Sequence, residues 1–418
     1  MKAKNIFKNI DEAFIHMERY VNEGSPSGWT KKRTTSLSTS PFVGKESFPL
    51  QEFGDSTMET VLIGERHPLL LDVNYCHPDS KEYNSTVLQS GGIQLYDSDV
   101  IVAPMSGGRT LFILSKQYKG FIKLTYDVGR LGRVDRQMKY EHCMSSYEVS
   151  ETIKQAIDDG KFDITYSLLR ERSGKVTKIP AGDNVYEWGT MLREYEPYPK
   201  AHYRKQLVPG FSLFAKDYYS EESLKDDYLI NQFIELSGIP ADEYLLDVIK
   251  MSVDAWFQTL INCAFILELH GQNCYYEVDE NYVIKRIVIK DMDSVDKDIT
   301  LAKFLGLRTE WDSFPYACFY KASPEDHPWY YSIRPSYMYD FKLGQYILLP
   351  LINAVSTKYN INIEKIKDEI KSYVQNKYLP SLPKDYFPED GSWYDCDDTE
   401  RKPGERRKYF AHKNPLFR

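Results

Sequence analysis

The sequence predicts an α+β protein whose two halves have different textures. Three observations carry this. Between residues 58 and 205, short β-branched and apolar runs are punctuated by Gly, Asp and Ser. From about residue 221 the apolar residues recur instead at spacings of three and four. Residues 3–21 have the pattern of one amphipathic helix, followed by the polar stretch GSPSGWTKKRTTSLSTSP, which reads as a linker. The expected division is an N-terminal helix and linker over 1–57, a strand-rich domain over 58–205 and a mostly helical domain over 206–418.

Each element follows from local pattern. METVLIG, GIQLY, DVIVAP, RTLFIL and GFIKLTYDV are strand-like runs. YEVSETIKQAID (147–158) reads as a helix with Ser150 as its N-cap. KFDITYSLLRE and EWGTMLREYEP read as further strands. In the stretch 241–269, Leu245, Val248, Ile249, Val253, Trp256, Leu260 and Ile261 fall on one helical face, so one or two buried helices are expected to run up to His270. NCYYEV, the turn DENY and VIKRIVIKD form a predicted β-hairpin, and two more helices are expected over 339–358 and 362–377.

Composition narrows the class. The 418 residues suffice for two or three domains with their own cores. A net charge of −8 argues against non-specific nucleic-acid binding, which needs a basic footprint. Cysteines at 76, 143, 263, 274, 318 and 396 show no Cys-x-x-Cys spacing, a pattern of reduced thiols rather than a disulfide framework. No run approaches the roughly 20 apolar residues that cross a bilayer. A soluble, cytoplasmic protein with no nucleic-acid or membrane partner is expected.

Four constellations could carry chemistry. The first is His270-Gly271-Gln272-Asn273, after which the hairpin returns Asp291. A side-chain amide and a carboxylate at one mouth can both ligate Mg²⁺, with Glu268 as a third oxygen donor. Equally, His270 and Asn273 could cap a helix and Asp291 could end a strand. The second is basic: PMSGGRTLFIL (104–114) sets two glycines beside Arg109 and Thr110, and KLTYDVGRLGRVDR (123–136) adds Lys123, Arg130, Arg133 and Arg136. Glycines let backbone N–H groups approach an anion and arginines bind phosphate or carboxylate as forks, although arginines near strand ends are also ordinary surface. The third is Arg193, set in an apolar strand pattern and therefore in need of a carboxylate or anionic substrate. The fourth is GERHPLLLDVNYCHPDSKEY, where prolines restrain His67 and His77 near Lys81; these too fit an ordinary loop.

Together and in this order, these pieces resemble the synthetases that build siderophores without nonribosomal peptide synthetases, the aerobactin-synthetase (IucA/IucC) type, from about residue 100 onward. The family's [EA]-x-HGQN and the strand ending in Arg-Asp resemble residues 268–273 and Lys290-Asp291. Its Ser-x-Arg-Thr-Leu element resembles Gly107-Gly108-Arg109-Thr110-Leu111, and its Lys-Leu-Ser strand resembles Lys123-Leu124-Thr125 leading to Arg133 or Arg136. Arg193-Glu194-Tyr195-Glu196-Pro197 is similar to its REN-P element, and RRKYFAHKNPLF to its closing pattern. Gly107 stands where the family has serine and Lys290 where it has arginine, and the N-terminal side is short.

The resemblance implies a hand-like fold with strand-rich fingers, a helical palm and a reduced N-terminal thumb. It implies an ATP- and Mg²⁺-dependent ligase that adenylates a small polycarboxylic acid and condenses it with an amine or hydroxyl. By the same resemblance, His270, Arg193 and Lys123 would be catalytic. Ser106, Arg109, Thr110, Lys123, Arg133, Arg136, Gln272, Asn273 and Asp291 would bind ATP. Arg193, His67, His77 and Lys81 would take the substrate carboxylate, and Glu268, Asn273 and Asp291 the metal. Small-molecule substrates are the expected partners, with a homodimer as a compatible assembly. Two other functions remain open. One is a kinase-like phosphotransferase, although Gln272 stands where such loops carry a catalytic Asp; the other is a non-catalytic homologue acting as a binding partner.

Overall fold

In the computed structural model, the strand-rich half forms one eight-stranded antiparallel sheet. The structure describes residues 1–22, 46–54, 58–82, 84–115, 118–127, 137–311, 317–318, 334–394, 409–412 and 415–418. Numbered along the chain, the strands of this sheet are β1 (Phe48–Gly54), β2 (Thr60–Gly64), β3 (Val73–Cys76), β4 (Tyr96–Pro104), β5 (Thr110–Leu114) and β6 (Lys119–Leu124), with β8 (Glu171–Ala181) and β9 (Asn184–Glu194). Their spatial order is β2-β8-β9-β6-β5-β4-β1-β3. A second sheet has the order β10-β12-β13-β7, from β7 (Tyr166–Leu168), β10 (Lys205–Pro209), β12 (Cys274–Asp279) and β13 (Ile284–Ile289). The short β11 (Phe265–Ile266) pairs with β14 (Asp296–Asp298). The fold is thus α+β.

Strand alternation decides what each face of the large sheet meets. Leu111, Ile113, Ile122, Leu124 and Leu192 point into one apolar cluster with Phe48, Leu50 and Tyr75. Phe112 and Phe121 point the other way, against Phe14 of the helix Ile10–Tyr20 and Tyr275 and Val288 of the second sheet. This aromatic layer joins the two sheets. Behind it, the helix Ala241–Cys263 covers the second sheet: Ser252 Oγ lies 2.7 Å from Tyr276 Oη, and Trp256 Nε1 donates to Leu267 O at 3.1 Å.

Several expectations need correction. The N-terminal helix is not continuous over 3–21: a short turn, Ala3–Asn5, precedes the helix Ile10–Tyr20, because Asn9 caps it by accepting the Glu12 N–H at 3.3 Å. The helix expected to begin near 147 starts at Tyr140, and Ser150 lies inside it, accepting the Glu171 N–H at 2.9 Å rather than capping. The apolar run does not carry a helix to His270. The helix stops at Cys263, with Ala264 in the left-handed region (φ 52°), and Phe265–Ile266 are strand, paired with Lys297 and Asp296. GIQLY contributes only Tyr96 to β4, and KFDITYSLLRE only the three residues of β7 and Glu171, where β8 begins.

The other elements stand as expected or nearly so. The β12–β13 hairpin is present, with Tyr282 at φ 62° in its turn. The two C-terminal helices are present as well. The first starts as a wide helix, Tyr337–Leu348, with i→i+5 bonding, and continues as Leu349–Tyr359; the second is Ile363–Lys377. Among the described residues, no helix is long and apolar enough to cross a membrane.

Candidate functional site

Three strands of the large sheet and one turn of the second layer build a compact charged cluster. In register, Lys123 of β6 lies opposite Thr110 of β5 and Met191 of β9, and Phe121 lies opposite Arg193. Lys123 and Arg193 therefore share the face that meets the second sheet. From that sheet, the turn after β13 brings Asp291, held at φ 72°, and Asp293. Lys123 Nζ donates to Asp291 and, at 2.7 Å, to Asp293 Oδ1. Arg193 Nε donates to Glu171 Oε1 at 2.8 Å, and its Nη2 to Asp291 Oδ1 at 2.8 Å. The second oxygen of Glu171 accepts the Met292 N–H at 3.2 Å, and Arg109 Nη2 reaches Asp293 Oδ2 at 3.4 Å.

This is a self-neutralising array of three cations and three carboxylates, buried except at the partly exposed Arg109 and Asp291. Burial alone would raise the Asp291 carboxyl, but the Lys123 and Arg193 charges outweigh it and hold that group far below the ordinary carboxylate range. Burial pulls the Lys123 ammonium down, and Asp291, Asp293 and Glu171 more than restore it. Asp291 and Lys123 are therefore ionised near neutral pH, and an incoming anion would find the Lys123 ammonium already charged.

The 270–273 loop forms the adjoining wall. Gly271 is required by close backbone approach: a Cβ there would lie 2.8 Å from Phe211 N, whose N–H donates to Gly271 O at 3.1 Å. His270 Nδ1 accepts the Gln272 N–H at 3.2 Å, which leaves the ring proton on Nε2, 3.8 Å from Glu268 Oε1. Burial, partly opposed by Glu268, lowers the His270 pKa to about 4, so the ring is neutral at pH 7. Burial would raise the Glu268 carboxyl, yet Lys342, 2.8 Å away on the wide helix, together with His270, brings it down to about 2. Asn273 Nδ2 donates to Glu268 O at 3.1 Å and reaches Ser294 Oγ at 3.4 Å.

The basic loop meets this wall. A Cβ on Gly107 would stand 3.6 Å from Gln272 Nε2, so the two loops face each other and a side chain as small as serine's would fit at 107. Thr110 opens β5 beside Lys123. Ser106 is buried, and its N–H donates to Glu18 at 3.1 Å. His77 is buried beneath the same loop, with a hydrogen bond to the Gly108 backbone, while its Nδ1 accepts the Asp79 N–H at 3.1 Å. The structure does not gather His67 and Lys81 with it. His67 stacks edge-on against Tyr118 at 4.5 Å, and the half-exposed Lys81 pairs with Asp97 at 3.6 Å. Arg130, Arg133 and Arg136 lie outside the described residues.

Sequence reasoning missed Asp293, Glu171, Lys342 and Glu18. Asp293 left a signal, since an acid two residues after Asp291 in a tight turn can share its neighbours. Glu171 and Lys342 left none, because their partners are distant in sequence. Among the described residues no three His, Cys, Asp or Glu side chains gather closely enough to hold a metal by themselves.

No family model matches the sequence, and no curated protein does. Solved structures do match in fold. AsbB, a petrobactin biosynthesis protein of Bacillus anthracis strain Sterne, aligns over 99% of this chain and 76% of its own, at 15% identity and a TM-score of 0.68. ATP-bound aerobactin synthetase IucA from a hypervirulent pathotype of Klebsiella pneumoniae aligns over 99% of this chain and 79% of its own, at 13% identity and a TM-score of 0.69. Aerobactin synthetase IucC from the same source covers 90% and 72%, at 14% identity and 0.62. The chain has the fold of these synthetases, which is the fold the sequence motifs imply.

Proposed function

We propose that this chain is an ATP-dependent ligase that adenylates a small polycarboxylic acid and condenses it with an amine or hydroxyl, in the cytoplasm, for siderophore or related natural-product biosynthesis. The observation that carries this is the convergence of Lys123 and Arg193, from two strands, and Arg109, from the loop before β5, on Asp291 and Asp293 beside the 270–273 loop. Support comes also from the fold shared with a synthetase whose structure holds ATP.

The chemistry asks for positioned charge rather than a covalent nucleophile. A substrate carboxylate oxygen attacks the α-phosphorus, pyrophosphate departs with the broken P–O bond, and the amine or hydroxyl then displaces AMP from the acyl carbon. Negative charge builds on phosphate oxygens, where Lys123 and Arg109 stand ready, while Arg193 aligns the substrate carboxylate. The neutral His270 ring donates its Nε2 proton as a hydrogen bond to a phosphate oxygen. Mg²⁺ usually takes one or two protein carboxylates and fills its shell with phosphate and water, so the absence of a three-ligand cluster is no obstacle. Asp291 and Asp293, both in contact with Lys123, fit that role, with Asn273 and Glu268 at its edge. When bound, the metal would neutralise phosphate charge.

The test incubates the protein with Mg·ATP, a panel of di- and tricarboxylates, citrate among them, and a panel of amines, amino acids and amino alcohols. Carboxylate-dependent AMP and pyrophosphate are expected. ADP would point to a phosphotransferase and no turnover to a non-catalytic homologue, and either would overturn the ligase.

A further inference from the structure

Glu18 lies on the N-terminal helix, away from the sequence motifs that marked the site, and is fully buried. A buried carboxylate without partners would be strongly disfavoured. Here both oxygens are engaged. Oε1 accepts the Tyr275 hydroxyl at 2.6 Å and faces Lys290 Nζ at 3.5 Å; Oε2 accepts the Ser106 N–H at 3.1 Å. Lys290 completes the ring by donating to Tyr275 Oη at 2.8 Å. These donors belong to separate pieces of chain: the loop between β4 and β5, strand β12, and the residue just before Asp291.

We propose that Glu18 is a positioning residue for nucleotide binding, which sets the 106–108 loop against the 270–273 loop by holding the Ser106 N–H. The inference rests on the assignment of this charged cluster as an ATP site. Three observations support it. The two loops face each other closely, since a Cβ on Gly107 would lie 3.6 Å from Gln272 Nε2, so a small shift of one widens the gap between them. Gly108 turns the chain at φ 70° directly after this contact, and Arg109 follows it. The helix that carries Glu18 is itself fixed, because Phe14 sits in the aromatic layer with Phe112, Phe121, Tyr195 and Tyr275 at centroid distances of 5.3 to 5.9 Å. Glu18 is thereby a fixed post against which the glycine loop leans through the Ser106 N–H.

The effect should fall on ATP and not on the carboxylate. Removing the post frees the loop that carries Arg109 but leaves Lys123 and Arg193, which sit on sheet strands. The experiment is steady-state kinetics of carboxylate-dependent pyrophosphate release with wild type, Glu18→Ala, Glu18→Gln and Tyr275→Phe, each checked by thermal melting. Glu18→Ala should raise KM for ATP about 10- to 100-fold and leave KM for the carboxylate within about 3-fold, the scale of one or two lost hydrogen bonds to a charged group. Glu18→Gln keeps an oxygen for the Ser106 N–H and should recover most of the loss. Tyr275→Phe removes a different partner of Glu18 and should leave KM for ATP within about 3-fold. Should Glu18→Ala fail to fold, Glu18→Asp, one methylene too short to reach both donors, gives the same readout. An unchanged KM for ATP, or a parallel rise for both substrates, would overturn the inference while leaving the ligase intact. A wild-type protein without carboxylate-dependent turnover would overturn the ligase assignment and this inference with it.

Discussion

Asp291 holds a left-handed backbone conformation and accepts hydrogen bonds from two buried cations, so its position is fixed by what surrounds it. The proposed function gives its charge a part in binding as well as in folding, and the two effects separate by measurement. Asp291→Ala should lower Mg·ATP affinity by about 100-fold or more in calorimetry. It should also destabilise the fold by about 3–5 kcal/mol in urea, because Lys123 and Arg193 lose a buried partner. Equal affinities in folded protein would remove Asp291 from the nucleotide site. His270 gives a pH signature of definite sign. Its folded pKa of about 4 lies below the ordinary 6.5, so between these values the unfolded chain binds more protons. Its contribution is complete above pH 6.5 and is lost as pH falls toward 4. From pH 7.5 to 5 the loss should be about 2 kcal/mol in metal-free urea titrations, and His270→Gln should flatten that slope. Glu268, depressed to about 2, adds a further decline only below its ordinary 4.5. A slope unchanged in the His270 variant would show that the ring is not held neutral.

At the scale of elements, the 270–273 loop is shaped by packing against the turn Gly210–Leu213. Gly210 and Gly271 approach face to face, and a Cβ on Gly210 would come within 2.9 Å of Gly271 O. Gly271→Ala should therefore displace the loop, destabilise the protein by about 1–3 kcal/mol in urea unfolding and weaken Mg·ATP binding; a variant as stable as wild type would show that the contact is slack. The glycine and its polar neighbours were legible in the sequence as a candidate site, and the hairpin that returns Asp291 was legible from its turn and alternation. The end of the preceding helix was not. A continuous apolar run suits a buried helix and a buried strand alike, and here pairing with β14 decided for the strand. Strand β8 was hidden for the opposite reason. Its Lys175 and Thr177 are buried polar residues, and their partners, Val73 O at 3.0 Å and Asn74 Oδ1 at 2.6 Å, come from a strand about a hundred residues earlier. Periodicity within a short window carries no trace of such partners.

At the scale of the whole molecule, Lys123, Arg193 and Glu171 sit on the large sheet and Asp291, Asp293 and the histidine loop on the second layer, with the N-terminal helix packed against both. Arg193 illustrates how far the sequence reaches. Its placement in an apolar strand announced that it needed an anion, but that Glu171 and Asp291 both supply one emerges only when the two layers meet. The proposed function assigns acyl-adenylate formation to the cluster where the two layers meet, and isotope exchange tests that step alone. Labelled pyrophosphate, Mg·ATP and the activating carboxylate are incubated with the protein in the absence of any amine or alcohol. Carboxylate-dependent transfer of label into ATP is the predicted result, falling about 10²-fold or more in Lys123→Ala. Exchange that ignores the carboxylate, persists undiminished in Lys123→Ala, or is absent from a wild-type protein that turns ATP over to ADP would contradict adenylate formation at this cluster.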